Sequence, residues 1–99
     1  MPKVFIVNSA GQDYSDAARF GKLVVCSTGI VVKDKTDQML KMLRETLKDS
    51  EPDDFILVSS LTSLCMIAAA IMTEWHGKVN MLIYHNHKYV ARTIDLELL

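Results

Sequence analysis

Small polar side chains follow the segments of this chain that read as buried β-strands. The first such segment ends at Asn8 and Ser9, and the third ends at Ser59 and Ser60, with Thr62 two residues further on. Because the carboxyl ends of parallel strands meet along one edge of an α/β sheet, we expect these groups to line a common crevice. Hydroxyls beside free helix N–H groups can hold an anion. The pattern predicts a site for a small anionic or nucleotide-like ligand.

Asp13 and Tyr14 come shortly after the first strand and have side chains suited to ligand binding. Tyr14 can stack on a base or a sugar, and Asp13 can bind hydroxyl groups or act as a general acid or base. The same residues also suit a structural role, in which Asp13 and Ser15 cap a short helix and Tyr14 covers the margin of the core. Polar turns follow strands in most α/β proteins, so both interpretations stay open.

Two histidines are further candidates for catalysis. His85 and His87 belong to the turn after the fourth predicted strand, where either is placed to act as a base, as is Asp13. Their spacing suits a metal, but no third ligand lies nearby in the sequence, so no metal site is predicted. The chain has neither a dinucleotide-binding glycine motif nor a phosphate-binding loop. No cofactor is therefore expected, and the sequence leaves open whether the protein is an enzyme.

Length and composition limit the class of protein. The chain has 99 residues, 49% of them hydrophobic, and a net charge of −1, which is typical of a single globular domain, here residues 1–99. A charge near zero gives no electrostatic reason to bind nucleic acid or a membrane. Cys26 and Cys65 lie within apolar runs rather than in a disulfide framework, and the first residues lack the features of a secretory signal. We expect a cytoplasmic protein.

The spacing of apolar side chains predicts the elements that position the candidate residues. Strands are predicted at residues 3–7, 22–26, 55–58, 79–84 and 89–94, the last two joined as a β-hairpin. Helices are predicted at 16–20, from an N-cap at Thr36 or Asp37 to about Lys48, and at 61–76. Residues 30–32 are assigned to an irregular connection, and residues 95–99 to an edge extension or a docking segment.

The order of these elements predicts the fold class. Strands that alternate with helices indicate an α/β protein with right-handed crossovers. We expect a three-layer Rossmann-like sandwich. Its mostly parallel sheet would have four or five strands, with an antiparallel C-terminal hairpin at one edge.

The helix predicted at 61–76 is unusually apolar, which suggests an alternative function. Its inner stripe would contain Leu61, Leu64, Cys65, Ala68, Ile71, Met72 and Trp75. Further apolar side chains, among them Met66, nearly encircle its first three turns, whereas surface helices normally keep a polar face. A neighbouring helix or a second subunit must cover it. The alternative is a non-catalytic homo-oligomeric protein, a dimer as first expectation, with this helix as its interface.

Overall fold

The computed structural model describes residues 1–9, 11–28, 35–58 and 62–95. The strands in these ranges are β1 (Lys3–Ile6), β2 (Lys22–Val25), β3 (Phe55–Leu57), β4 (Lys78–His85) and β5 (Lys88–Asp95). The α-helices are α1 (Thr36–Thr46) and α2 (Thr62–His76), and a 3₁₀ helix spans Ser15–Arg19 between β1 and β2. The predicted α/β fold is confirmed.

The strands form one sheet in the order β2-β1-β3-β4-β5, in which the first four are parallel and β5 is antiparallel to β4. The predicted mostly parallel sheet with an antiparallel edge hairpin is therefore confirmed. From β1 the chain moves outward to β2 and then crosses back over β1 to reach β3. This reversal makes the boundary between β1 and β3 the topological switch point, where sheets of this kind have a crevice at the carboxyl ends of the strands.

One face of the sheet, the helical face, packs against both α-helices. It buries Phe5, Ile56 and Val79 from the sheet against Leu43 of α1 and Leu64 of α2. These apolar side chains form the larger of the two hydrophobic clusters among the described residues.

The other face, the 3₁₀ face, packs against the 3₁₀ helix. It buries Ile6, Leu82 and Tyr89 against Tyr14 and Ala17. Right-handed crossovers place this helix opposite α1 and α2, because the β1-to-β2 connection runs the other way across the sheet. In the described part of the chain a single short 3₁₀ helix takes the place of an α-helical layer here, so the expected three-layer sandwich is not confirmed.

Element boundaries follow the predictions closely. Each predicted strand agrees with an observed one to within one residue at either end, and α2 begins one residue later than expected. The segment predicted as a helix at 16–20 forms a 3₁₀ helix instead. The predicted N-cap of α1 is wrong, because Lys35 holds that position without a side-chain hydrogen bond, and Thr36 and Asp37 lie in the first turn. The predictions for residues 30–32, 59–61 and 96–99 lie outside the described residues.

The β4–β5 hairpin extends beyond the rest of the sheet. Within the described residues β3 pairs with Asn80, Met81 and Leu82 of β4, so the hairpin tip projects past the carboxyl end of β3. The tip turns through Asn86 and His87, whose φ angles of 51° and 66° are those of a two-residue type I′ turn. The hairpin therefore forms a wall at the same end of the sheet as the predicted crevice.

The amino end of the sheet is closed by hydrogen bonds within the protein. The buried Asp54 carboxylate accepts hydrogen bonds from the backbone N–H groups of Lys3 and Glu51, each at 2.8 Å. Asn80 donates to the carbonyl oxygen of Asp54 at 3.1 Å and accepts from the hydroxyl of Thr93 at 2.7 Å. These polar groups satisfy one another, so their role here is structural.

α2 keeps apolar side chains at the surface. Leu64, Ala68, Ile71 and Met72 are buried as expected, but Met66 is 68% exposed and Trp75 is 42% exposed, so Trp75 does not belong to the inner stripe. In the ranges that the structure describes, neither α-helix combines the length and hydrophobicity needed to cross a membrane.

Candidate functional site

Asn8 and Ser9 follow β1, and their main chain continues to pair with the segment that follows β2. The N–H of Ser9 donates to the carbonyl oxygen of Ser27 at 2.8 Å, and Ser9 forms an isolated parallel bridge with Thr28. The Ser27 hydroxyl lies 2.7 Å from the carbonyl oxygen of Val7 and 2.9 Å from Oδ1 of Asn8. These contacts hold the Asn8 side chain in place at the carboxyl end of the sheet.

Tyr14 is buried against the 3₁₀ face. Its side chain is 8% exposed, and its hydroxyl lies 3.5 Å from the carbonyl oxygen of Asn8. The ring packs in the cluster that contains Ala17, Leu82 and Tyr89. This position fits the structural interpretation of Tyr14 and leaves little of its ring for stacking on a ligand.

Asp13 is exposed and shapes the turn before the 3₁₀ helix. Its Oδ1 accepts a hydrogen bond from the backbone N–H of Ser15 at 2.9 Å. That bond, together with one from the Ser15 hydroxyl, lowers the pKa of the Asp13 carboxyl. Asp13 is therefore an ionised hydrogen-bond acceptor at neutral pH and is poorly suited to donate a proton.

The 3₁₀ helix is fastened to the hairpin by three residues that we call the Tyr89 clamp, namely Asp16, Arg19 and Tyr89. Asp16 Oδ2 accepts a hydrogen bond from the backbone N–H of Tyr89 at 2.6 Å. The guanidinium of Arg19 donates to the backbone carbonyl of Tyr89, and its Nε lies 3.2 Å from Asp16 Oδ1. Two side chains thus occupy the donor and acceptor that Tyr89 would offer to a neighbouring strand.

A second aromatic residue of the hairpin lies beside Tyr89 on the 3₁₀ face. The rings of Tyr84 and Tyr89 meet edge to face with their centroids 5.1 Å apart. Tyr89 is 4% exposed, whereas Tyr84 is 56% exposed. The pKa of Tyr89 is raised, first by burial and then by the neighbouring acidic groups of Tyr14, Tyr84, Asp16 and Asp13. Residues that follow β1 and residues of the hairpin therefore meet at the carboxyl end of the sheet.

Thr62 is the first residue of α2, and its side chain is exposed. Thr62 lines a shallow apolar groove between α2 and β4, together with Cys65, Met66, Ala69 and Met81. The other hydroxyls predicted for this turn, Ser59 and Ser60, lie outside the described residues.

His85 and His87 are both exposed. His85 lines a shallow groove with Ile83, Val90 and Arg92, on the face opposite Tyr84. His87 lies in the hairpin turn. Among the described residues, no group of three histidine, cysteine or acidic side chains is placed to hold a metal ion.

Neither cysteine has the environment of a nucleophile. Both are free thiols that are partly buried. Burial raises the pKa of Cys26 to about 12, so this thiol stays protonated at neutral pH. Cys65 packs against the core of the helical face.

Sequence reasoning did not include the Tyr89 clamp among the site residues. The spacing of Asp16 and Arg19 indicates that they pair, but their shared contact with Tyr89 joins distant parts of the chain and leaves no local signal. The hairpin itself carries a signal for Tyr89, because directly paired residues of two strands lie on the same face and Tyr89 pairs with Tyr84.

These observations define a small α/β domain with a five-stranded mixed sheet and a cluster of polar and aromatic side chains at its carboxyl end. A family model described as Phage Pam3 gp32-like protein matches residues 2–98, and the chain belongs to this family. No curated protein and no solved structure matches the chain. The match covers nearly the whole chain, so the family assignment applies to the domain as a unit.

Proposed function

We propose that the protein binds a small anionic or nucleotide-like ligand at the carboxyl ends of its parallel strands. The observation that carries this proposal is the reversal of strand order between β1 and β3. In open α/β sheets ligands bind in the crevice at such a switch point. The amino end of the sheet is unsuitable by comparison, because its buried polar groups are already paired with one another.

Different parts of this edge suit different parts of a ligand. Asp13, on the side of β1, is an exposed carboxylate and repels an anion. On the side of β3, α2 begins at Thr62 and directs the positive end of its helix dipole toward the edge. The anionic group of the ligand therefore belongs beside Thr62, with Ser59 and Ser60 as further predicted contacts, and an uncharged part belongs near Asn8, Ser9 and Asp13.

The same proposal includes the three-layer Rossmann-like sandwich that the sequence predicts. The order β2-β1-β3-β4 is that of a Rossmann-like half of the flavodoxin type, in which the 3₁₀ helix would stand for the third layer.

We also propose a cytoplasmic location, since both cysteines are thiols. A net charge of −1 gives no reason to expect nucleic acid or a membrane as a partner.

The test introduces a negative charge at the start of α2. Thr62→Asp adds a carboxylate where a helix tolerates it best, so the fold is retained while an anion is repelled. The thermal shift produced by nucleoside monophosphates and inorganic phosphate should be present in the unchanged protein and lost in this variant. Thr36→Asp is the matched control, because it makes the same change at the start of α1, which follows β2 rather than β3. Equal thermal shifts in Thr62→Asp and the unchanged protein would refute the proposal.

A specific observation also favours the alternative function, a homo-oligomer that uses α2 as its interface. Met66 and Trp75 remain exposed on α2, and large apolar side chains in such a position are typical of a surface that contacts a partner. Light scattering after size-exclusion chromatography should then give the mass of a dimer, and Met66→Lys should give that of a monomer. A monomeric unchanged protein at high concentration would rule out α2 as an interface.

A further inference from the structure

The hydroxyl of Tyr89 is the starting point for a more specific assignment. The Tyr89 side chain is almost completely buried, yet its hydroxyl has no hydrogen-bond partner in the described part of the chain. Every fully buried side-chain nitrogen or oxygen among these residues does have a partner. The Tyr89 hydroxyl must therefore reach solvent from an otherwise buried ring. It lies on the 3₁₀ face at the carboxyl end of the sheet.

The surroundings of this hydroxyl keep it protonated. Burial and the nearby acidic groups, including Asp13 and Asp16, raise the pKa of Tyr89. The hydroxyl is thus available as a hydrogen-bond donor throughout the physiological pH range.

The exposed ring of Tyr84 borders the same place. More than half of its surface is open to solvent, and its ring contacts that of Tyr89 edge to face. An exposed aromatic ring is a stacking platform for a flat ligand, and such platforms accept any nucleobase because every base has a π-face.

The charges around Tyr89 favour a neutral ligand over a cationic one. The carboxylate of Asp16 is compensated by Arg19 and by the nearby Lys88, and it also accepts from the backbone of Tyr89. Asp13 is the other carboxylate that raises the pKa of Tyr89. It is exposed, so it is the hydrogen-bond acceptor that a ligand can reach. One such acceptor beside a hydroxyl donor and an aromatic ring suits the hydroxyl groups of a sugar.

We propose that the Tyr84 ring, the Tyr89 hydroxyl and the Asp13 carboxylate together form a nucleoside subsite, which we call the tyrosine recess. The base stacks on Tyr84, a ribose hydroxyl donates to Asp13, and the Tyr89 hydroxyl donates to an acceptor on the ribose or the base. This inference rests on the proposed function, since it assigns the uncharged part of the nucleotide-like ligand to the side of the edge that repels anions.

The test compares nucleosides with their 5′-monophosphates by calorimetric titration. The nucleosides are adenosine, guanosine, cytidine and uridine. Tyr89→Phe removes one hydroxyl and keeps the ring, and Tyr84→Ala removes the platform at an exposed position. Tyr84→Ala should weaken nucleoside binding about tenfold, in line with the contribution of a stacked aromatic side chain. Tyr89→Phe should weaken it about fivefold, in line with the loss of one hydrogen bond. Arg92→Ala is the control, because Arg92 is exposed on the opposite face of the same hairpin.

Three outcomes separate this inference from the function on which it rests. Weaker nucleoside binding by both tyrosine variants, with Arg92→Ala unchanged, supports the tyrosine recess. Monophosphate binding that is the same in the unchanged protein and in both tyrosine variants overturns the recess but leaves anion binding beside Thr62 intact. The absence of binding by any nucleoside or monophosphate overturns both proposals.

Discussion

The carboxylate of Asp16 accepts a hydrogen bond from the backbone N–H of Tyr89, a residue that lies 73 positions later in the chain, at an O···N distance of 2.6 Å. Through this bond and the parallel contact from Arg19, the connection after β1 is joined to the first residues of β5. The two segments that border the tyrosine recess are therefore held in a fixed relation.

We predict that Asp16→Ala releases the hairpin from the 3₁₀ helix. The variant loses the partner of the Tyr89 N–H and the ion-pair partner of Arg19. Its melting temperature should fall by about 5 °C, a typical effect of losing a tertiary contact in a domain of this size. Asp53→Ala is the matched control, because Asp53 is an exposed carboxylate whose ion pair with Lys78 is long, at 3.7 Å. Equal melting temperatures for the two variants would contradict the role of the clamp.

The contribution of Asp16 should depend on pH. Its pKa is lowered, first by the hydrogen bond from the Tyr89 backbone and then by Arg19 and Lys88. A carboxyl whose pKa is lower in the folded state stabilises the fold when ionised, and this contribution disappears as the pH falls through the folded-state pKa. The unchanged protein should therefore be more stable than Asp16→Asn at pH 7, with the difference shrinking below about pH 4. Urea unfolding at a series of pH values measures this difference, and a constant difference would be inconsistent with it.

The hairpin turn offers a stabilising substitution. His87 adopts a positive φ of 66°, which costs free energy in any residue with a side chain. His87→Gly should raise the free energy of unfolding by about 0.5–1 kcal/mol, since Asn-Gly is the preferred pair for this turn. The control is His85→Gly, the same replacement at the last residue of β4, which should destabilise the protein because glycine weakens strands. If chemical denaturation showed a loss of stability for His87→Gly, the turn assignment would be wrong.

Gly21 allows the chain before β2 to approach the N-terminal segment. A Cβ at this position would lie 2.2 Å from the carbonyl oxygen of Pro2, and the same oxygen accepts a hydrogen bond from Lys22 N–H at 2.9 Å. Gly21→Ala should therefore lower the free energy of unfolding by about 2 kcal/mol, as overpacked sites typically do. Gly11→Ala, where a Cβ meets nothing within 4 Å, should cost less despite its positive φ. A neutral Gly21→Ala in denaturant unfolding would show that Pro2 moves away at no cost.

The sequence predicted the sheet well because strand signals are local. The β-branched and aromatic runs at Lys3, Phe55 and Tyr89 gave strand limits to within one residue. The spacing of Met39 and Leu43 likewise identified the buried side of α1. The N-cap of α1 was predicted less well, because the preference of Thr and Asp for capping did not decide the boundary, and Lys35 holds the position without a side-chain hydrogen bond.

The candidate site could be predicted only in part. The sequence indicated which end of the sheet carries Asn8, Asp13 and Tyr14, because strand direction follows from the alternation of elements. It left open whether Tyr14 is buried, and it gave no sign that Tyr84 supplies the exposed ring at this edge. Both facts depend on how the hairpin packs over the 3₁₀ face, which is decided by contacts between distant segments.

The most direct test of ligand binding at the carboxyl end is a titration with nucleoside monophosphates followed by amide chemical shifts in nitrogen-15-labelled protein. We expect shifts that concentrate at the residues after β1 and at the start of α2, including Asn8, Ser9, Asp13 and Thr62. Amides at the closed amino end, such as Asp54 and Asn80, should stay unchanged. The absence of shifts with every monophosphate, or shifts centred on Asp54 and Asn80, would contradict it.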